Sequence, residues 1–246
     1  MSAALPHTAA DPVHTTPAKP LLDHVLDSLG RSIISGEMEA GSTFKLQDIG
    51  EKFGISRTVA REAMRALEQL GLVASSRRIG ITVLSHEHWA VFDKAIIRWR
   101  LEDERQREQQ LQSLTELRIA IEPIAARSVA LHASSAEIAI IGDLAARMRN
   151  LGEAGRGASQ EFLDADVKFH ELILQYCHNE MFAAMAPPIK AVLVGRTTLG
   201  LQPDRPAEEV LDNHDALAHA LSVRNADLAE KASRSILNEV RDALTS

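Results

Sequence analysis

Asp166 and His170 stand four residues apart at the centre of an apolar stripe of Phe162, Leu163, Phe169, Ile173 and Cys177. On a helix this spacing puts carboxylate and imidazole on one face, while Asp164, Lys168, Glu171 and Gln175 take the other. His214 lies likewise among Val210, Leu211, Leu217 and Leu221, whereas His219 points outward. Arg118 shares a face with Leu114, Ile121, Ala125 and Val129, and Arg196 with Ile189, Val192 and Leu199. Polar groups aimed into a core without partners cost several kcal/mol each, so these five must meet one another or a ligand. An inward Asp-x-x-x-His with a distant His is a metal half-site, and arginines beside it suit an anion gripped bidentately. Taken singly, each residue also has a plainer reading. An inward histidine can be a hydrogen-bonded core residue, and Arg118 or Arg196 can form a buried pair with Glu122 or Asp166.

A second set lies near the other end. In SRTVAREAMRALEQL, a 100° step per residue gathers Ala60, Ala63, Met64, Leu67 and Leu70 on one side and Arg57, Thr58, Arg61 and Arg65 on the other. Arginines one turn apart from a helix N-terminus suit a helix laid in the major groove of DNA, where guanidinium forks meet guanine edges or phosphates. Arg77 and Arg78 follow in a glycine-containing turn, placed to reach phosphate or the minor groove, with Gly80 permitting close approach. A solvated basic face is the plainer reading of such a helix alone.

The elements that must position these residues are legible from periodicity and punctuation. Leu22, Val25, Leu26, Leu29 and Ile33 mark a first helix, closed by Gly36 and Gly41. A short helix over about 46–53 follows, broken by Gly54 before Ser56 caps the arginine helix. LVASSRRIGITVL then reads as a two-stranded wing. Residues 86–105, with Trp89, Phe92, Ile96, Ile97 and Trp99, read as a linker helix with a docking aromatic face, and everything from about 112 to 244 is helical by period. The expected organisation is a disordered tail over 1–20, a winged helix-turn-helix over 21–85, the linker helix over 86–105 and an all-helical domain over 106–246. The fold class is mainly α.

Composition agrees with two globular domains: 246 residues, 45% apolar and 25% charged. No apolar run approaches the ~20 residues of a membrane helix, the start lacks a secretory signal, and the lone Cys177 fits a reducing cytoplasm. The net charge of −7 is uneven. Residues 21–85 hold eight Lys/Arg and eight Asp/Glu, so the excess acid lies beyond residue 85 and the basic charge is local, as in a DNA footprint.

These residues carry a resemblance. FGISRTVAREAMRALEQLGLV resembles the signature of GntR-superfamily transcription regulators, which implies that Arg57 and Arg61 contact operator bases and phosphates, with Thr58 beside them. Where that family often has an arginine in its short second helix, this chain has Gln47. LTELRIAIEPIAARSVA, ADVKFHELIL and DNHDALAHAL resemble segments of the FadR-type C-terminal domain, FCD, whose members bind an effector and dimerise through this half. The likeness implies that Asp166, His170 and His214 hold one divalent metal, zinc or nickel, with a carboxylate effector completing its shell. The further histidine expected 22 positions past His214 is Ile236 here, which removes one ligand. HWAVFDKAIIRWRLED resembles the linker of the branch that responds to sugar acids such as gluconate or galactonate.

The expectation is thus a homodimeric repressor of palindromic operator DNA, responsive to a small organic acid bound by Arg118, Asp166, His170, Arg196 and His214, with or without metal. Two rivals remain. A metal hydrolase built on Asp166, His170 and His214 would need a general base and leaves the basic helix unexplained, and the chain has no phosphate loop, nucleophile elbow or HExxH. A DNA-binding dimer with no effector would leave the inward polar residues unexplained.

Overall fold

The computed structural model describes residues 18–245, which form two compact units divided between His88 and Trp89. The expected tail falls outside the described residues up to Pro17, and Ala18–Pro20 already belong to the first helix.

The first unit runs α1 (Ala18–Ile34), β1 (Thr43–Phe44), α2 (Leu46–Phe53), α3 (Arg57–Gln69), β2 (Val73–Ser76) and β3 (Gly80–Val83). Gly54 ends α2 in the left-handed conformation, φ 61°, which costs a glycine nothing. Two residues on, the Ser56 hydroxyl accepts from the Val59 N–H at 3.3 Å and opens α3. Val25 and Leu29 of α1, Ile49 of α2 and Ala60, Ala63, Met64 and Leu67 of α3 are buried together with Val73, Ile81 and Val83 of the wing. The wing has one strand more than the sequence announces: β1 pairs antiparallel with β3, giving the order β1-β3-β2. Two residues are too few for strand periodicity to register.

The second unit is helical throughout: α4 (Lys94–Glu102), α5 (Arg107–His132), α6 (Ser135–Glu153), α7 (Gln160–Tyr176), α8 (Glu180–Ala183), α9 (Ala186–Thr198), α10 (Glu208–Ser222) and α11 (Ala226–Thr245). α5 packs on α11 and α7, α10 on α11 and α6, and α9 on α7 and α4. The shared core includes Val129, Ile141, Met148, Phe169, Ile173 and Leu217. The segment expected as one linker helix is a single 3-10 turn at His86–His88 followed by α4. Asp93 is the reason, because its side chain accepts from the Ala95 N–H at 2.8 Å and starts the helix there. Ile96, Ile97 and Trp99 are buried, but Phe92, ahead of the cap, is exposed.

Two loops meet beside α10. The Gly157 N–H donates to the Asp204 carbonyl at 2.6 Å, and a Cβ at Gly157 would lie 2.5 Å from both the Pro203 oxygen and Pro206 Cδ. The closest neighbour is backbone, so the contact cannot be relieved by a side chain turning away. Gly157→Ala should therefore cost about 1–3 kcal/mol as an overpacking change. Urea denaturation measures it; an unchanged midpoint would show that the 199–207 loop is not held by this contact.

Candidate functional site

On α3 of the first unit, Arg57, Thr58, Arg61 and Arg65 are exposed on the face opposite the core. Arg77 and Arg78 are exposed in the β2–β3 turn beside Ile79, which is 65% exposed. None of these five arginines makes a hydrogen bond or ion pair among the described residues. Arg31 of α1, by contrast, bonds Asp27 at 2.9 Å, whereas this row presents its charge to solvent. Gly80 has an internal reason to be glycine: its φ is +100° and a Cβ would approach the Phe44 carbonyl to 2.9 Å. Gln47 is exposed and bonds Glu51 at 2.8 Å.

In the second unit the inward polar residues of α5, α7, α9 and α10 line one cavity of about 210 Å³, walled otherwise by Met148, Phe162, Leu193, Val210, Ile236 and the 201–207 segment. Arg118, His170 and His214 are buried and Asp166 is half-buried. Glu122, one turn after Arg118, is 1% exposed and joins two of them. One of its oxygens accepts from Arg118 Nε at 2.5 Å and the other from His170 Nδ1 at 2.6 Å. Burial alone would raise its pKa, but the charges of Arg118 and His170 and their hydrogen bonds bring it down to about 2.

Each histidine is oriented through its Nδ1. With its Nδ1 proton on Glu122, His170 turns Nε2 to a position 3.2 Å from Arg118 Nη2 and 3.3 Å from Asp166 Oδ1. His214 donates from Nδ1 to the Val210 carbonyl at 2.7 Å, which leaves Nε2 buried without a hydrogen-bond partner, 3.7 Å from the same Asp166 oxygen. Burial lowers the His214 pKa, so that nitrogen carries a lone pair at neutral pH. Burial, the largest single influence, also lowers the His170 pKa, but the Glu122 charge and the hydrogen bonds to Asp166 and Glu122 together outweigh it and the balance is upward. Asp166 is pushed up by burial and pulled further down, to about 2, by its hydrogen bond to His170 and the charges of His170, His214 and Arg118. Ligand atoms of Asp166, His170 and His214 all lie within 4.8 Å of one another.

The two arginines part company. Arg118 is committed to Glu122 and His170. Arg196 lines the cavity with no hydrogen bond or ion pair among the described residues, and its Nε is buried and unsatisfied. Its pKa is lowered by burial and by the neighbouring Arg118. Two residues escaped the sequence analysis. Sequence spacing offers Glu122 only as a partner for an arginine, not as the anchor of His170. Glu239 of α11 also lines the cavity, and its spacing from Ile236 and Val240, three and one residues away, places all three on one face.

With this geometry in hand, comparison with known proteins is informative for both units. Residues 21–83 match the model of bacterial regulatory proteins of the gntR family, and residues 113–239 match the FCD domain. The galactonate operon transcriptional repressor of Escherichia coli K12 is 27% identical over 87% of this chain and 93% of its own. The uncharacterised HTH-type regulator YieP of the same organism is 29% identical over 88% and 92%. Among solved structures, that of Lar from Listeria monocytogenes superposes with a TM-score of 0.59 at 14% identity, covering 95% of this chain and 99% of the other, a likeness of fold.

Glu122→Gln leaves Arg118 buried without its counter-charge, and should cost about 3–5 kcal/mol in chemical denaturation. The pH dependence carries a sign. The Glu122 pKa falls from 4.5 to about 2 in the folded protein, so the stabilisation is complete above 4.5 and is lost as pH drops towards 2. The wild type should lose stability across that window more steeply than Glu122→Gln; equal slopes would contradict the pairing.

Proposed function

The chain belongs to the gntR family of bacterial regulatory proteins and carries an FCD domain as its second half, and from that premise we propose a repressor whose grip on operator DNA is loosened by a small sugar acid. Members of this family are transcription regulators, which sets aside the hydrolase reading. The observation that carries the proposal is Arg196, an unpaired, half-buried cation whose Nε is out of water, on the wall of the cavity that holds Asp166, His170 and His214. A buried guanidinium without a partner is costly, and a ligand carboxylate received as a bidentate fork removes that cost. The cavity's 210 Å³ is below the ~300–1,000 Å³ of pockets for drug-sized ligands, which favours a small acid. The relative that represses a galactonate operon supports gluconate or galactonate as the first candidates.

The histidine pair fits a divalent ion such as zinc or nickel. His214 Nε2 is orphaned, and the separations of 3.3 and 3.7 Å from Asp166 suit ligands sharing one ion with bonds of about 2.1 Å. Glu122 and the Val210 carbonyl accept from the ring N–H groups, which fixes the rings as such acceptors do behind metal-bound histidines. Bound there, the ion would supply Lewis-acid attraction for the carboxylate and hydroxyl oxygens of the acid. One contact favours a second, metal-free reading, in which the three residues hydrogen-bond the acid directly: Arg118 Nη2 stands 3.2 Å from His170 Nε2, where it can donate to the lone pair that a metal would use.

At the DNA, a single short helix reads too few base pairs for a specific site, so two copies would place their α3 helices on the halves of a palindrome. Arg57, Thr58, Arg61 and Arg65 would face bases and phosphates in the major groove, and Arg77 and Arg78 the backbone or minor groove. The helical half would supply the dimer contact.

Gluconate or galactonate should raise the melting temperature of the wild type and lower its affinity for operator, and Arg196→Ala should abolish both effects. Failure of Arg196→Ala to weaken acid binding would displace the carboxylate from this position. Elemental analysis of protein purified without chelator separates the two readings of the histidines. About one metal per subunit, lost in His214→Ala, supports the ion; no metal, with acid binding indifferent to EDTA, supports direct contact.

Arg57→Ala should cost about 1–3 kcal/mol and relax base preference, whereas Arg77→Ala should weaken all sequences alike and reduce the salt slope by about one unit. Equal, sequence-independent losses from both would reduce Arg57 to a phosphate contact.

A further inference from the structure

α11 gives the cavity wall Ile236, Glu239 and Val240, and of these only Glu239 is polar. Its Oε2 meets Asn213 Nδ2 at 3.5 Å, the long limit of a hydrogen bond, and Oε1 has no partner among the described residues. No basic side chain comes within ion-pair distance of it among the described residues, although the charge of Arg196 reaches it through space. Burial, with Glu209 nearby, raises the Glu239 pKa against the pull of Arg196. A half-buried carboxylate that keeps an unused acceptor face on a binding cavity needs donors, and it repels anions.

We propose that Glu239 is the subsite for the hydroxyl-bearing part of the effector, and that it restricts the cavity to polyhydroxy monocarboxylates by excluding a second carboxylate. The proposal rests on the reading above, in which the acid's own carboxylate goes to Arg196. Hydroxyl groups complete the acceptor face of Glu239, which a plain aliphatic acid cannot do. A diacid of the same carbon chain sets two like charges side by side with no arginine left to absorb them, since Arg118 is committed to Glu122. Glu239 thus fixes which end of the molecule enters which part of the site.

The test uses matched pairs of acids that differ at one terminal carbon: gluconate with glucarate, and galactonate with galactarate. Calorimetric titration of the full chain at pH 8 should give tighter binding of the monoacid of the preferred pair, by about tenfold or more. Glu239→Gln keeps the shape of the side chain and one acceptor oxygen while removing the charge, and should shrink that ratio towards one by strengthening the diacid. Glu239→Lys should reverse the preference. A merely structural role for Glu239 would weaken both members of a pair alike. A ratio near one in the wild type, or a ratio unchanged in Glu239→Gln and Glu239→Lys, overturns the subsite and leaves the cavity reading standing. Failure of the wild type to bind any of the four acids overturns the sugar-acid reading and this inference with it.

Discussion

One buried carboxylate holds the helical unit's polar interior together. Glu122 takes Arg118 on one oxygen and His170 on the other, at 2.5 and 2.6 Å, with all three side chains almost wholly out of water. Removing such charges from water costs several kcal/mol each, and only close, fully hydrogen-bonded geometry repays it. α5 and α7 must therefore keep their register to within a hydrogen bond. That requirement fixes the ring of His170, which turns Nε2 towards Asp166, and Asp166 in turn sits between the two histidines. The part of the cavity's polar wall made by Arg118, His170 and Asp166 follows from this one pairing.

The two units use charge in opposite ways. In the first, the arginines of α3 and the wing stand exposed and unpaired, ready for a partner that brings negative charge to a broad surface. In the second, Arg118, Glu122 and His170 are turned inward and paired, whereas Arg196 lines the cavity with no hydrogen bond or ion pair among the described residues. The family to which the chain belongs joins a DNA-binding head to an FCD domain.

Much of this was legible in the sequence, for physical reasons that also mark its limits. Gly54 and Ser56 punctuate α2 and α3 through backbone geometry and capping, which are local, and the faces of α3 and α7 follow from period alone. The convergence of Asp166, His170 and His214 could be anticipated because each interrupts an apolar stripe. What local reasoning missed depends on tertiary partners. β1 exists only as a partner of β3. Phe92 carries the hydrophobicity of a docking residue but precedes the Asp93 cap and is exposed. Glu122 looks like an ordinary i+4 mate of Arg118 until α7 brings His170 to its second oxygen. Glu239 acquires meaning only once Ile236 and Val240 are seen on the same cavity wall.

On the function proposed above, an acid in this cavity and operator DNA on α3 compete energetically. Linkage requires each ligand to weaken the other by one common factor, about 5–150-fold for a coupling of ordinary size. Calorimetric titration of galactonate into the free protein and into the protein saturated with operator duplex measures that factor directly. A lower affinity in the DNA complex, by the same ratio as operator binding falls in saturating galactonate, is the expected result. Equal affinity for the acid with and without operator would contradict it.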